Sequence, residues 1–403
     1  MTFATVEPLT ETHHPRADRQ ETDRTDGVVQ ERFVGDLDLE SGEILPEVTL
    51  AFETWGELNE AADNAVLILH ALTGDTHVSR GFAGKDASAE IAFAAETPGW
   101  WEGIVGPDYV IDTDRYFVLA PNIVGGCYGS TGPSSPAPLS LDAEVQPWGS
   151  HFPLVTIRDT VAAEKKLADL LGIDTFYAVI GGSLGGARAM EWAVSYPERV
   201  ERCIVIASGP SATAEQIAWA QSQNIAISLD PNFAEGDYYS GPLPEDGLGL
   251  ARRIAHTTYR SAPELHFRFG RNAQDGESPL SQNTAGERGR YRVESYLDYH
   301  AQKLASRFDA NSYLAINNAL ISHDITRGRG SLSTALAAST CQWTIAYVDS
   351  DRLFYPSESI VMAASLPYPI EAMAIHSPSG HDGFLIETEQ IEKVLRKALY
   401  SEK

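Results

Sequence analysis

The stretch FYAVIGGSLGGARAMEW, Phe176 to Trp192, constrains the fold more than any other part of this chain. An apolar run stops at two glycines, a single serine follows, and two further glycines lead into a helical pattern. Gly181-Gly182-Ser183-Leu184-Gly185 fits G-x-S-x-G, with a strand before it and a helix after it. A chain that reverses this sharply leaves no room beside the serine, so small residues flank it. The turn lifts the hydroxyl above the sheet, at a helix N-terminus where the dipole favours developing negative charge. A packing turn or a phosphate loop is the plainer reading of such glycines; the flanking strand and helix favour a nucleophilic serine.

The same apolar run ending in a polar loop recurs along the chain. It is found at AVLILHALTGD (Ala65 to Asp75), YFVLAPN (Tyr116 to Asn122), RCIVIAS (Arg202 to Ser208), TIAYVDS (Thr344 to Ser350) and EAMAIHS (Glu371 to Ser377). Such runs read as strands buried on both faces. Helical patterns at IRDTVAAEKKLADLLGI, GARAMEWAVSYP and PSESIVMAASL lie between them, which predicts an α/β fold around a mostly parallel sheet. Arg32 to Leu58 alternates and is broken by turn residues, so it reads as an antiparallel pair. From about Ala212 to Ser339 no buried strand is legible. That span is helical and polar, too long for a connection within a compact domain. The expected organisation is a polar, disordered leader at 1–28, a core formed by 29–211 with 340–403, and a helical lid at 212–339.

Charge and cysteines bound the function. The 403 residues include 56 acidic and 30 basic ones, a net charge of −26, and only 7 of the basic residues are lysine. A field of that sign repels nucleic acid and anionic membrane. Spread along the chain, it reads as a surface adapted to high salt, where screening makes it tolerable. Cys127, Cys203 and Cys341 are far apart and form no C-x-x-C, so neither a zinc site nor a disulfide framework is expected, and a reducing cytoplasm fits. His13-His14 reads as part of a solvated tail rather than a metal site. The N-terminus has no apolar core of a signal peptide, and no window approaches a membrane span.

A reactive serine needs a base, and the base an orienting acid, in the chain order serine, acid, histidine. His256, His266, His300 and His323 fall in the lid segment. His376 ends a strand and is a core candidate. His381, in the glycine-flanked loop SPSGHDGF after the final strand, stands where the base belongs. The loop YVDSDRLFYP offers Asp349 and Asp351 for the acid. The backbone N–H groups of Leu184, which follows the nucleophile, and of Leu72, in HALTGD after an early strand, are the expected oxyanion donors.

These residues point to acyl transfer without saying what collects the acyl group. Taken in order from about Arg32 to the C-terminus, LHALTGD, GWWEGIVGP, NIVGGCYGSTGPSS, GGSLGGARAMEW, ARRIAHTTYR, SHDITRGRG, SDRLFYP and GHDGFLIE together resemble the homoserine O-acetyltransferase family. The resemblance implies an α/β-hydrolase fold with a helical lid. It implies Ser183 as nucleophile, Asp351 rather than Asp349 as acid, and His381 as base. It matches Arg252 to the residue that holds the homoserine carboxylate and Asp382 to the one that receives the amine. It further implies acetyl-CoA as co-substrate with no permanently bound cofactor, a ping-pong reaction feeding methionine synthesis, and a homodimer. The family elbow more often has methionine where this chain has Leu184, a change that leaves the backbone N–H in place. Rival readings are a succinyl donor, a serine acceptor, a plain esterase of the same fold, and a binding protein without activity.

Overall fold

The computed structural model describes residues 25–83, 88–138, 147–280 and 288–400. His13 and His14, most of the expected leader, and 281–287 lie outside the described residues. β1 (Gln30–Asp38) and β2 (Ile44–Trp55) form the antiparallel pair read from the alternating segment. β3 (Ala65–Leu69) is buried along its whole length. α1 (Ala89–Glu96) and a minimal parallel pair, β4 (Val105–Gly106) with β5 (Ile111–Asp112), precede β6 (Phe117–Pro121). Then come α2 (Ile157–Leu170), β7 (Ala178–Gly182), α3 (Leu184–Ser195) and β8 (Arg202–Ile206). The eight-stranded sheet has the order β1-β2-β6-β3-β7-β8, followed by two strands from the C-terminal part, and is parallel from β6 onward.

Between β8 and the next strand of the sheet, the described residues form α4 (Ala214–Ser228), α5 (Glu245–Tyr259), α6 (Ala262–Phe269), α7 (Arg292–Ala305), α8 (Ala310–Ile321) and α9 (Leu332–Ala337). Capping explains where several begin. Thr213 and Gln216 form a reciprocal box at α4, and Ser261 accepts from Glu264 N–H at α6. The two stems of this segment meet: Ala212 N–H donates to His323 O at 2.9 Å and Ile325 N–H to Pro210 O at 3.0 Å. His323 belongs to this join, its buried ring bonded to Gly209 O at 3.1 Å. α5 packs between α4 and α7 and reaches the Gly380–Asp382 turn.

The chain returns to the sheet with β9 (Gln342–Val348), α10 (Pro356–Ala364), β10 (Met373–Ile375), the single turn α11 (Gly383–Ile386) and α12 (Thr388–Tyr400). Alternate residues of the central strands feed two cores. Leu67, Val179, Cys203 and Ile345 face the layer of α2 and α3, while Ile68, Ile180, Ile204 and Ala346 face α12. α12 has no counterpart in the sequence reading above. Its buried Ile391, Val394, Leu395, Ala398 and Leu399 follow the i, i+3, i+4, i+7, i+8 spacing of an amphipathic helix. No helix among the described residues is long and apolar enough to cross a membrane.

Candidate active site

Ser183 joins β7 to α3 with φ 56° and ψ −124°, a backbone geometry that L residues rarely adopt. Its N–H is tied to Ile206 O of β8 at 3.0 Å. Close approach explains the flanking glycines: a Cβ on Gly181 would stand 2.0 Å from Gly185 O. The parallel sheet supplies strands whose carboxyl ends all point to this edge, so the loops after β3, β7, β9 and β10 converge on the serine.

His381 Nε2 lies 2.8 Å from Ser183 Oγ, and His381 Nδ1 lies 2.6 Å from Asp351 Oδ2. All three residues are buried. The other oxygen of Asp351 accepts the N–H groups of Leu353 at 2.8 Å and Phe354 at 3.0 Å, which fixes the carboxylate. The imidazole stacks on Phe354 (5.2 Å between centroids) and meets the edge of Phe384. Burial pushes the His381 pKa down, but the Asp351 carboxylate, with Asp382 and Glu358 behind it, outweighs burial and leaves it raised. A serine, a base that can take its proton, and an acid that stabilises the resulting imidazolium are therefore in line.

Asp349 stands apart. Its carboxylate holds the His376 ring at 2.8 Å and the Ser377 N–H at 3.1 Å. The expectation of a core position for His376 is overturned: its side chain is 75% exposed, because β10 is only three residues long and lies at the sheet edge.

Leu184 opens α3 and Leu72 follows β3, and neither N–H has an acceptor among the described residues. His70 braces the second of these loops. Its Nδ1 side meets Ala71 O at 2.8 Å, and Ile123 N–H donates to its Nε2 at 3.2 Å, which leaves the proton on Nδ1. Burial and the nearby Arg188 push its pKa down to about 3, so it is neutral.

Ser183 and His381 line a cavity of about 250 Å³ that extends beneath α5 and α7. Arg252 lines it from α5, with Nη1 3.3 Å from Thr73 Oγ1 and its guanidinium 5.6 Å from the Tyr259 ring. Its Nε is buried without a partner, and no carboxylate pairs with it among the described residues. Asp382 also lines the cavity, held by Arg260 Nη2 at 3.1 Å. Burial raises the Asp382 pKa against the opposing pull of Arg260, His381 and Arg252. A larger, mostly apolar cavity of about 650 Å³ lies by Trp100 and Phe93 but includes neither Ser183 nor His381.

Sequence reading set aside the histidines between β8 and β9, yet His256 and His300 line the cavity of Ser183 and His381 with rings 4.0 Å apart. Both are held neutral. Burial, then Arg252, lowers His256 to about 2 and His300 to about 4. Neither ring nitrogen of His256 has a partner among the described residues. A signal was available, since Arg252, His256 and Tyr259 fall at i, i+4 and i+7 on one face of a helix. Among the described residues no group of three or more His, Cys, Asp or Glu side chains could hold a metal ion.

The family model for the alpha/beta hydrolase fold matches residues 64–388. The homoserine O-acetyltransferase of Thermobifida fusca is 52% identical over 365 residues, covering 90% of this chain and 91% of that protein. That of Mycobacterium tuberculosis is 46% identical, covering 91% and 92%. A crystal structure of homoserine O-acetyltransferase from Bacillus anthracis superposes with a TM-score of 0.82 at 26% identity, covering 93% of this chain and 98% of that one. An acetylester hydrolase from Corynebacterium glutamicum superposes at 0.76 with 25% identity, covering 94% and 100%. Identity this high over nine-tenths of both chains is decisive: this chain belongs to the homoserine O-acetyltransferase family, built on the α/β-hydrolase fold.

Proposed function

We propose that this protein moves an acetyl group from acetyl-CoA to the side-chain hydroxyl of L-homoserine, giving O-acetyl-L-homoserine, through an ester on Ser183. The observation that carries the reading is the hydrogen-bonded Ser183–His381–Asp351 relay in a cavity that also holds an arginine with no carboxylate partner among the described residues. His381 Nε2 takes the Ser183 proton as Oγ attacks the thioester carbonyl. The developing oxyanion is met by the N–H groups of Leu72 and Leu184, each worth ~3 kcal/mol in such sites. The C–S bond breaks, and the CoA thiolate leaves with the proton from His381. Homoserine then enters, His381 takes its hydroxyl proton, and attack on the ester returns a protonated Ser183.

Arg252 is the fork-shaped partner for the homoserine carboxylate. Asp382 receives the amine, and its bond to Arg260 aims it. We read 212–339 as a lid over a core of 29–211 and 340–403, excluding water so that transfer outruns hydrolysis. The same reading makes the enzyme a cytoplasmic homodimer with no permanently bound cofactor, supplying methionine synthesis in a salt-loving cell. A second reading, ester hydrolysis, is favoured by the likeness to the acetylester hydrolase. One assay separates them: acetyl-CoA and succinyl-CoA are each offered with homoserine, serine or water, and CoA release is followed. Release that depends on homoserine and acetyl-CoA supports the proposal, whereas equal release with water alone overturns it.

A further inference from the structure

On a chain with 56 acidic and 30 basic residues, an anionic substrate approaches against the field. Two cations stand together at the mouth of the cavity that contains Ser183. Lys303 on α7 and Arg307 just beyond it are four residues apart, both exposed, and both line the cavity that contains Ser183. Among the described residues neither forms an ion pair. Their neighbours do: Arg253 pairs with Asp298, Arg288 with Glu294, Arg290 with Glu277, and Arg292 with Asp275.

Neutral groups aim Arg307. Its Nη2 donates to Thr73 O at 3.1 Å, its Nη1 to the Tyr128 hydroxyl, and that hydroxyl donates back to Arg307 O at 3.1 Å. Asp75 is the acid that feels Arg307 through space, and it lies outside ion-pair distance. The arginine is thus held beside the HALTGD loop with charge left over.

Deeper in the cavity, Arg252 suffices for one carboxylate. The outer pair needs a different anion. A thioester donor that reaches Ser183 carries its phosphates at the far end of its pantetheine arm, and a cavity of about 250 Å³ is small against the whole coenzyme. The phosphates therefore stay outside while the acyl group enters. We infer that Lys303 and Arg307 are the docking site for the phosphate groups of the coenzyme A donor, an inference that rests on the acetyl-CoA reading above. An ester hydrolase on the same scaffold has no use for such a pair.

The test uses the full chain, Lys303→Glu and, as a variant that keeps the charge, Arg307→Lys. Two donors are compared: acetyl-CoA, and S-acetyl-N-acetylcysteamine, which keeps the thioester and lacks every phosphate. Adenosine 3′,5′-bisphosphate is added as a competitor. In Lys303→Glu, the ratio of kcat/KM for acetyl-CoA to that for the truncated donor falls about tenfold. Inhibition by the bisphosphate weakens by a similar factor. Arg307→Lys loses less of both. An unchanged ratio together with unchanged inhibition overturns the site. If the unmodified protein takes no acetyl group from acetyl-CoA, yet binds adenosine 3′,5′-bisphosphate by calorimetry and Lys303→Glu weakens that binding about tenfold, the donor reading fails and the phosphate site stands.

Discussion

Gly185 lies so close to Leu69 that a Cβ on it would stand 1.9 Å from the Leu69 carbonyl oxygen. This contact locks the start of α3 against the end of β3 and so sets the distance between Ser183 and the loop carrying Leu72. Gly185→Ala must push apart two backbone segments, and we expect it to cost about 3 kcal/mol or more. Gly249, within α5, has an ordinary helical backbone, and its Cβ would meet Ala301 Cβ at 3.4 Å. Gly249→Ala should therefore be neutral or gain up to about 1 kcal/mol. Thermal unfolding of the two variants checks this, and equal losses would contradict it.

Ser183→Ala removes the only atom of the relay that can carry an acyl group. Mass spectrometry after mixing with acetyl-CoA should show the unmodified protein gaining one acetyl group and the variant none. Asp351→Asn keeps the size of the side chain but removes the charge opposite His381 Nδ1, and it should lower kcat by about 10⁴-fold.

Arg252 lines the cavity; among the described residues its buried Nε has no partner and its Nη1 makes a 3.3 Å bond to Thr73 Oγ1. Arg252→Ala should lower kcat/KM for homoserine roughly 10- to 100-fold, the worth of a charge-assisted hydrogen bond to a carboxylate, and raise the acetyl-CoA KM far less. Steady-state kinetics with each substrate varied in turn distinguishes this from a general loss of the fold, which would affect both.

Glu358, at the start of α10, is raised to about 7 from an ordinary 4.5, with burial the main cause and the Asp351 charge adding to it. A carboxyl whose pKa rises on folding binds more protons in the native state, so stability falls as pH rises from about 4.5 to about 7. Glu358→Gln escapes that loss. Its Tm advantage over the unmodified protein should grow across this window and level off above it. The Glu358 charge also helps to raise His381, so the acid limb of the pH–rate profile should move to lower pH in the variant. A Tm difference that does not vary with pH would refute the assignment.

Local chemistry explains what the sequence by itself determined about this protein. Strands buried on both faces write themselves as apolar runs, and the elbow needs glycines because backbone meets backbone there. Ser183, Asp351 and His381 sit in loops after strands, where topology fixes their relative position, so a glycine-flanked loop after the final strand singled out His381 among the histidines that follow the serine. α12 went unread, although its apolar spacing was in plain view. Only the tertiary structure decided what depends on segments meeting from afar. The family resemblance had already preferred Asp351 to Asp349; the fold shows the geometry behind that choice, with Asp351 against His381 and Asp349 against His376, and it places His376 in solvent at the sheet edge. It brought His256 from α5, His300 and Lys303 from α7, and Arg307 from the turn after α7 to the cavity of Ser183, although read along the chain these side chains look like any solvated face. Periodicity tells which side of a helix is apolar; which polar side chains then share a cavity depends on how α5 and α7 pack over the sheet, and that is a property of the assembled fold.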